Sequence, residues 1–99
     1  MRINFKEVYV MFKHVYVVKR DSYKLGLDNT VENYNIELVS SYSTLERAID
    51  FIKSLKEMCL SAGAELERDE IDKFNFFQLY DPEENTFHEY YICVVDYMG

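Results

Sequence analysis

Two stretches of this chain, EVYVMFKHVYVVK (7–19) and TFHEYYICVVDY (86–97), carry apolar side chains on both of their alternating faces. A strand of that kind is normally central in its sheet and covered on both sides. In the first, Val8, Val10, Phe12, Tyr16 and Val18 fall on one face and Tyr9, Met11, Val15 and Val17 on the other. In the second, Tyr91, Cys93, Val95 and Tyr97 alternate with Tyr90, Ile92 and Val94. A fold for this sequence must place these two segments in its middle and then find cover for them.

Only one long helix is legible, in SSYSTLERAIDFIKSLKEMCLSAG (40–63). Ser43 is expected as its N-cap, with Glu46 three residues on completing a capping box. Gly63 is expected in the left-handed conformation that closes a helix. Between them Leu45, Ala48, Ile49, Ile52, Leu55, Cys59 and Ala62 recur at helical spacing and form one apolar stripe.

Two further strands are expected. NTVENYNIELVS (29–40) alternates Tyr34, Ile36 and Leu38 with Asn33, Asn35 and Glu37, a one-sided pattern. KFNFFQLY (73–80) leads through DPEEN, with Pro82 at a turn position, into the last strand. The stretch 21–30 reads as a loop.

The 99 residues therefore predict a single α+β domain over residues 1–99, ordered β-β-α-β-β. Its four-stranded, mainly antiparallel sheet runs 2-1-4-3, with the helix on one face. The other face would expose about 500 Å² of apolar surface, the upper end of what monomers tolerate. A second copy or another protein is expected to cover it, through an association face of Tyr9, Met11, Val15, Val17, Tyr90, Ile92 and Val94. A homodimer is the simplest form of that expectation. The alternative is that the 21–30 loop or the N-terminal segment folds over the sheet.

Net charge is −7, divided as +4 over residues 1–24 and −11 over residues 25–99. An acidic chain is repelled by phosphate backbones, so direct binding of nucleic acid or of an anionic membrane is not expected. The run ELERDEID supplies Glu65, Glu67, Asp69, Glu70 and Asp72, and Asp81, Glu83 and Glu84 follow near the next turn. One reading is a solvated connector, or a charged edge that repels stray strands. The other is a negative surface that fits a basic cleft made for nucleic acid in a partner protein.

At VSSYSTLERA (39–48) the chain resembles an uncharacterised family of small bacterial and phage domains. The shared features are a Val/Tyr-rich strand like Val15 to Val18, then Tyr42, Ser43 and Thr44 with Ala48 four residues on. An aromatic strand ending in Asp, here FNFFQLYD, comes after the helix. Ser40 stands where that family usually has Gly, and the last strand runs past the family's end. The resemblance implies a small α+β fold and no established activity.

No catalytic constellation is legible. His14 and His88 lie on separate strands without ligand spacing, so no metal is expected. Cys59 and Cys93 are expected buried and inert, in keeping with a reducing cytoplasm. Three scattered glycines make no phosphate loop, and no cofactor is expected. No apolar run approaches the ~20 residues of a membrane span, and MRINFKEVYV lacks the apolar core of a signal peptide.

The expectation is thus a non-enzymatic, acidic protein-binding domain. A fitting setting is a phage or mobile-element inhibitor of a host nucleic-acid-handling defence protein, such as an anti-CRISPR. The alternatives are a nucleotide- or small-molecule-binding dimer, using tyrosines with Lys13, Lys19, Arg20 and Lys24, or an immunity-type or structural partner.

Overall fold

A computed structural model describes the backbone of residues 12–98 and the side chains of residues 14–96. Its elements in order are β1 (Phe12–Leu25), β2 (Val31–Tyr42), α1 (Leu45–Ser61), β3 (Glu65–Glu70), α2 (Ile71–Phe74), β4 (Phe76–Asp81) and β5 (Thr86–Met98). The strands form one sheet ordered β2-β1-β5-β4-β3, and every neighbouring pair is antiparallel. The two strands with two apolar faces, β1 and β5, sit side by side inside the sheet, as their composition requires.

The sheet has five strands where four were expected. ELERDE pairs with β4 as an outer strand, from Glu65 opposite Tyr80 to Glu70 opposite Phe76. Its apolar signal is a single residue, Leu66, opposite Leu79. An edge strand needs no more, because water solvates much of it.

β1 continues to Leu25, through residues expected to be loop. Asp21, Ser22 and Tyr23 each have a cross-strand side-chain partner. Tyr91 donates to Asp21 Oδ1 at 2.7 Å, Ser22 Oγ lies 2.7 Å from His88 Nδ1, and Gln78 Nε2 donates to Tyr23 at 2.8 Å. The turn proper is residues 26–30, closed by Gly26 N–H donating to the Thr30 carbonyl at 2.8 Å and by Asn29 at φ 62°. A Cβ on Gly26 would meet chiefly the end of the exposed Glu32 side chain, which can swing aside, so the turn rests on these backbone features rather than on glycine itself. A turn this short cannot roof the sheet.

α1 begins one residue later than expected. Thr44, not Ser43, is its N-cap, in extended backbone (φ −131°, ψ 148°) and accepting from Arg47 N–H at 3.3 Å. The third helical residue is then Arg47, so the carboxylate half of a capping box does not form. The C-terminus behaves as expected: Gly63 stands at φ 106°, with Gly63 N–H donating to Leu60 and Ala64 N–H to Cys59. These two bonds are the Schellman closure, which satisfies carbonyls the helix would otherwise leave free.

Val18, Ala48, Ile52, Phe77 and Leu79 are fully buried between α1 and the sheet, with Ile71 and Tyr90 beside them. The Phe77 and Tyr90 rings stack with centroids 5.0 Å apart. Each large apolar side chain buried here contributes on the order of 2 kcal/mol. The cover is nonetheless short. Seventeen helical residues span about 25 Å, whereas the fourteen residues of β1 span about 46 Å. The radius of gyration, 17.4 Å, exceeds the ~13 Å of a compact chain of this length.

Cross-strand partners share a face of the sheet, which assigns the two sides. Tyr16, Val18, Arg20 and Ser22 of β1, opposite Val94, Ile92, Tyr90 and His88 of β5, face α1. Val15, Val17, Lys19, Asp21 and Tyr23, opposite Val95, Cys93, Tyr91, Glu89 and Phe87, form the side away from α1, the open side, on which Val17 is nonetheless buried and most of the others are half-buried. This corrects the expected association face. Val15 and Val17 lie on the open side, but Tyr90, Ile92 and Val94 lie on the helix side, because the register pairs Val17 with Cys93 rather than with Ile92. Tyr9 and Met11 lie outside the described residues.

Candidate interaction surface

The open face is organised in rows that run across the strands. The first is aromatic: Tyr34 of β2, Tyr23 of β1, Phe87 of β5 and Tyr80 of β4. Their successive ring centroids are 6.5, 5.4 and 4.8 Å apart, the spacing of favourable offset and tilted pairs. Tyr80 donates to Asn85 of the β4–β5 turn at 2.7 Å, which anchors the outer end of the row.

The second row is polar. Ile36, Asp21, Glu89, Gln78 and Arg68 stand opposite one another from β2 to β3. Asp21 accepts from two tyrosines, Tyr91 and Tyr34. Burial and the bond to Asp21 push the Tyr91 hydroxyl well above the usual tyrosine pKa, and the bond to Asp21 also raises Tyr34. Asp21 and Glu89 are therefore adjacent carboxylates on one face, and neither forms an ion pair among the described residues. The third row is Leu38, Lys19, Tyr91, Phe76 and Glu70, with the Arg68 guanidinium over the Phe76 ring at 5.1 Å. Two carboxylates thus lie between two rows containing aromatic rings. Such a frame suits a cation, above all a planar guanidinium that both stacks and pairs.

The acidic residues singled out from the sequence do not converge. Glu65 sits opposite Tyr80, at the end of β3 nearest the turn that carries Glu83 and Glu84. Glu70 and Asp72 lie at the other end of β3, about 17 Å away. Asp69 is turned to the helix side, where Lys56 donates to it at 2.9 Å and lowers its pKa. Asp69 also accepts from Ile71 N–H at 3.2 Å. Glu67 falls in the bulge between Leu66 and Arg68. Asp81 is half-buried and accepts from Glu83 N–H at 3.0 Å, as the turn chemistry predicts.

A second feature is a cleft of about 330 Å³ on the helix side, lined by Cys59, Leu79, Asp81, Glu83, His88 and Tyr90. Burial and the nearby Arg20 push His88 below the usual imidazole range, and burial pushes the Cys59 thiol up. Both shifts disfavour the charged forms, imidazolium and thiolate. Arg20 is engaged close by, paired with Glu37 and 3.4 Å from the Tyr90 hydroxyl, so it is not a free anion ligand. No cluster of three or more metal-ligating side chains occurs among the described residues, and no described helix is long and apolar enough to cross a membrane.

The sequence reading of 21–30 as a loop hides Asp21 and Tyr23, whereas Phe87 and Glu89 lie on the expected last strand but join them only through the β1–β5 register. The signal was present: Lys19, Asp21 and Tyr23 continue the period-two alternation of Val15 and Val17 past the expected end of the strand. Comparison with protein-family models, with curated proteins and with solved structures finds no match to this chain.

Proposed function

We propose that this chain is a non-enzymatic protein-binding domain that presents its open sheet face to a basic surface of another protein. One observation carries the reading: Asp21 and Glu89 stand opposite each other inside an aromatic frame, with no basic side chain paired to either among the described residues. Like charges opposed on a sheet cost stability, and an arginine or lysine from a partner would relieve that cost while stacking on Tyr23 or Tyr91. The overall charge of −7 favours encounter with the same class of surface. A basic cleft that handles nucleic acid is such a surface. Inhibition of a host defence protein, as by a phage or mobile-element anti-CRISPR, is the setting that matches it.

The test is capture from host lysate at low and high salt, with wild type and with the Asp21→Asn/Glu89→Gln double variant. A protein retained by wild type, released by salt and not retained by the variant supports the reading. Identical capture by both proteins removes it.

The helix-side cleft favours a second reading, a small neutral or cationic ligand held near His88 and Asp81. A thermal-shift screen addresses it, since a ligand at a hundred times its Kd adds about 2.7 kcal/mol of stability.

A further inference from the structure

The two edges of the sheet are built differently. β3 is six residues long, holds Glu65, Glu67, Asp69 and Glu70, and is interrupted by a bulge. Those are the features by which an edge refuses another strand. β2 is twelve residues long and contains no proline, no lysine and two carboxylates, Glu32 and Glu37. Residues 31–38 are exposed throughout.

Two bulges divide β2, one facing the Ser22/Lys24 interval and one facing Val18/Lys19. Asn33, at φ 54°, lies within the first. Between them residues 35–38 run in unbroken register with β1, and Tyr34 joins them on the open face. Val39 and Tyr42 pack against the core, Tyr42 on Phe51 of α1, whereas the side chains of this run are exposed and lie outside it. Tyr34, Ile36 and Leu38 are 56%, 55% and 69% exposed.

The run is self-complementary. Paired antiparallel with itself about Ile36, it sets Ile36 against Ile36 of the second copy and Tyr34 against Leu38. On the other face it sets Asn35, whose side-chain amide already donates to Glu37 at 2.9 Å, against the second copy's Glu37. Moving the centre to Glu37 would oppose two carboxylates. A one-residue slip would put Ile36 against Glu37 and join the open face of one copy to the helix side of the other.

We propose that β2 pairs with β2 of a second copy about a two-fold axis at Ile36, giving a continuous ten-stranded sheet. This goes beyond the binding reading and does not depend on it, because the open faces of both copies stay accessible and side by side. A pairing this short falls at the small end of specific interfaces, below about 1,200 Å² in total, so dimerisation depends on concentration.

Sedimentation velocity over a concentration series, joined to cysteine cross-linking, tests the proposal. Wild type should shift from monomer toward dimer as concentration rises, and Ile36→Lys, at an exposed position, should remain a folded monomer throughout. Under mild oxidation Ile36→Cys should form a covalent dimer, since directly opposed Cα atoms lie about 4.5–5.5 Å apart and within disulfide reach. Tyr34→Cys and Leu38→Cys should not cross-link alone but should cross-link to each other when mixed. Wild type, with its native Cys59 and Cys93, gives the background. A wild type that stays monomeric at every concentration overturns the proposal and leaves the edge free for a strand of another protein. Equal cross-linking of Ile36→Cys and Leu38→Cys overturns it too, because random collision would explain both.

Discussion

The two faces of this sheet use similar residues to opposite ends. On the helix side Phe77 stacks on Tyr90 in a site closed to water, with Val18, Ile52 and Leu79 packed around the pair. On the open side Tyr23 stacks on Phe87 and Tyr34, but these rings remain partly in water and flank carboxylates that have no ion pair among the described residues. The first arrangement lowers the energy of the folded chain. The second sets two carboxylates opposite each other, an arrangement that costs stability. What separates them is cover: a helix of about 25 Å cannot shelter a strand of about 46 Å, and it shelters one side alone.

The widest gap between the faces should appear on truncating matched rings. Phe77→Ala should destabilise by about 3–5 kcal/mol, enough to unfold a marginal domain. Tyr23→Ala should cost less, about 1–2 kcal/mol, the worth of the two aromatic contacts of this half-buried ring. Urea titration of both variants checks the contrast, and equal losses would break it.

Smaller effects sharpen the account of the covered side. Gly63→Ala forces a Cβ into the left-handed region at φ 106°, which should cost about 1–2 kcal/mol although nothing lies within contact of that Cβ. A melting temperature equal to wild type would mean that the helix end relaxes. His88 gives a pH signature. Its folded pKa lies below the ordinary 6.5 because burial and Arg20 disfavour the imidazolium. The unfolded chain then binds the proton more readily, so stability is complete above pH 6.5 and falls as the pH drops toward the folded value. His88→Gln should flatten that part of the stability–pH curve. An unchanged slope would place the titration elsewhere.

How much of this was legible in the sequence follows from which forces act locally. The helix stripe, the Gly63 closure, the DPEEN turn and the central places of β1 and β5 are set by short-range periodicity and by two-sided apolar strands, and all could be read. The N-cap could not be fixed, because Ser43 and Thr44 carry equivalent hydroxyls one residue apart. β3 was hidden because a charged edge strand satisfies its backbone on one side only and has one apolar residue to announce it. The open-face rows were hidden for a different reason. Asp21 and Glu89 are sixty-eight positions apart in the chain and meet only through the β1–β5 register, which no local pattern encodes. The association face was misassigned through the same unknown, since a register shifted by one residue exchanges Cys93 and Ile92.

The smallest effect is the most direct test, and it concerns Glu89. If the open face serves binding rather than folding, removing one of its two opposed carboxylates should relieve repulsion. The measurement is the urea-unfolding midpoint of Glu89→Gln. The account predicts a gain of about 0.2–1 kcal/mol over wild type, diminishing as salt is added. A loss of stability of the same size would show that Glu89 holds the fold together and would contradict the claim that this face is built for a partner.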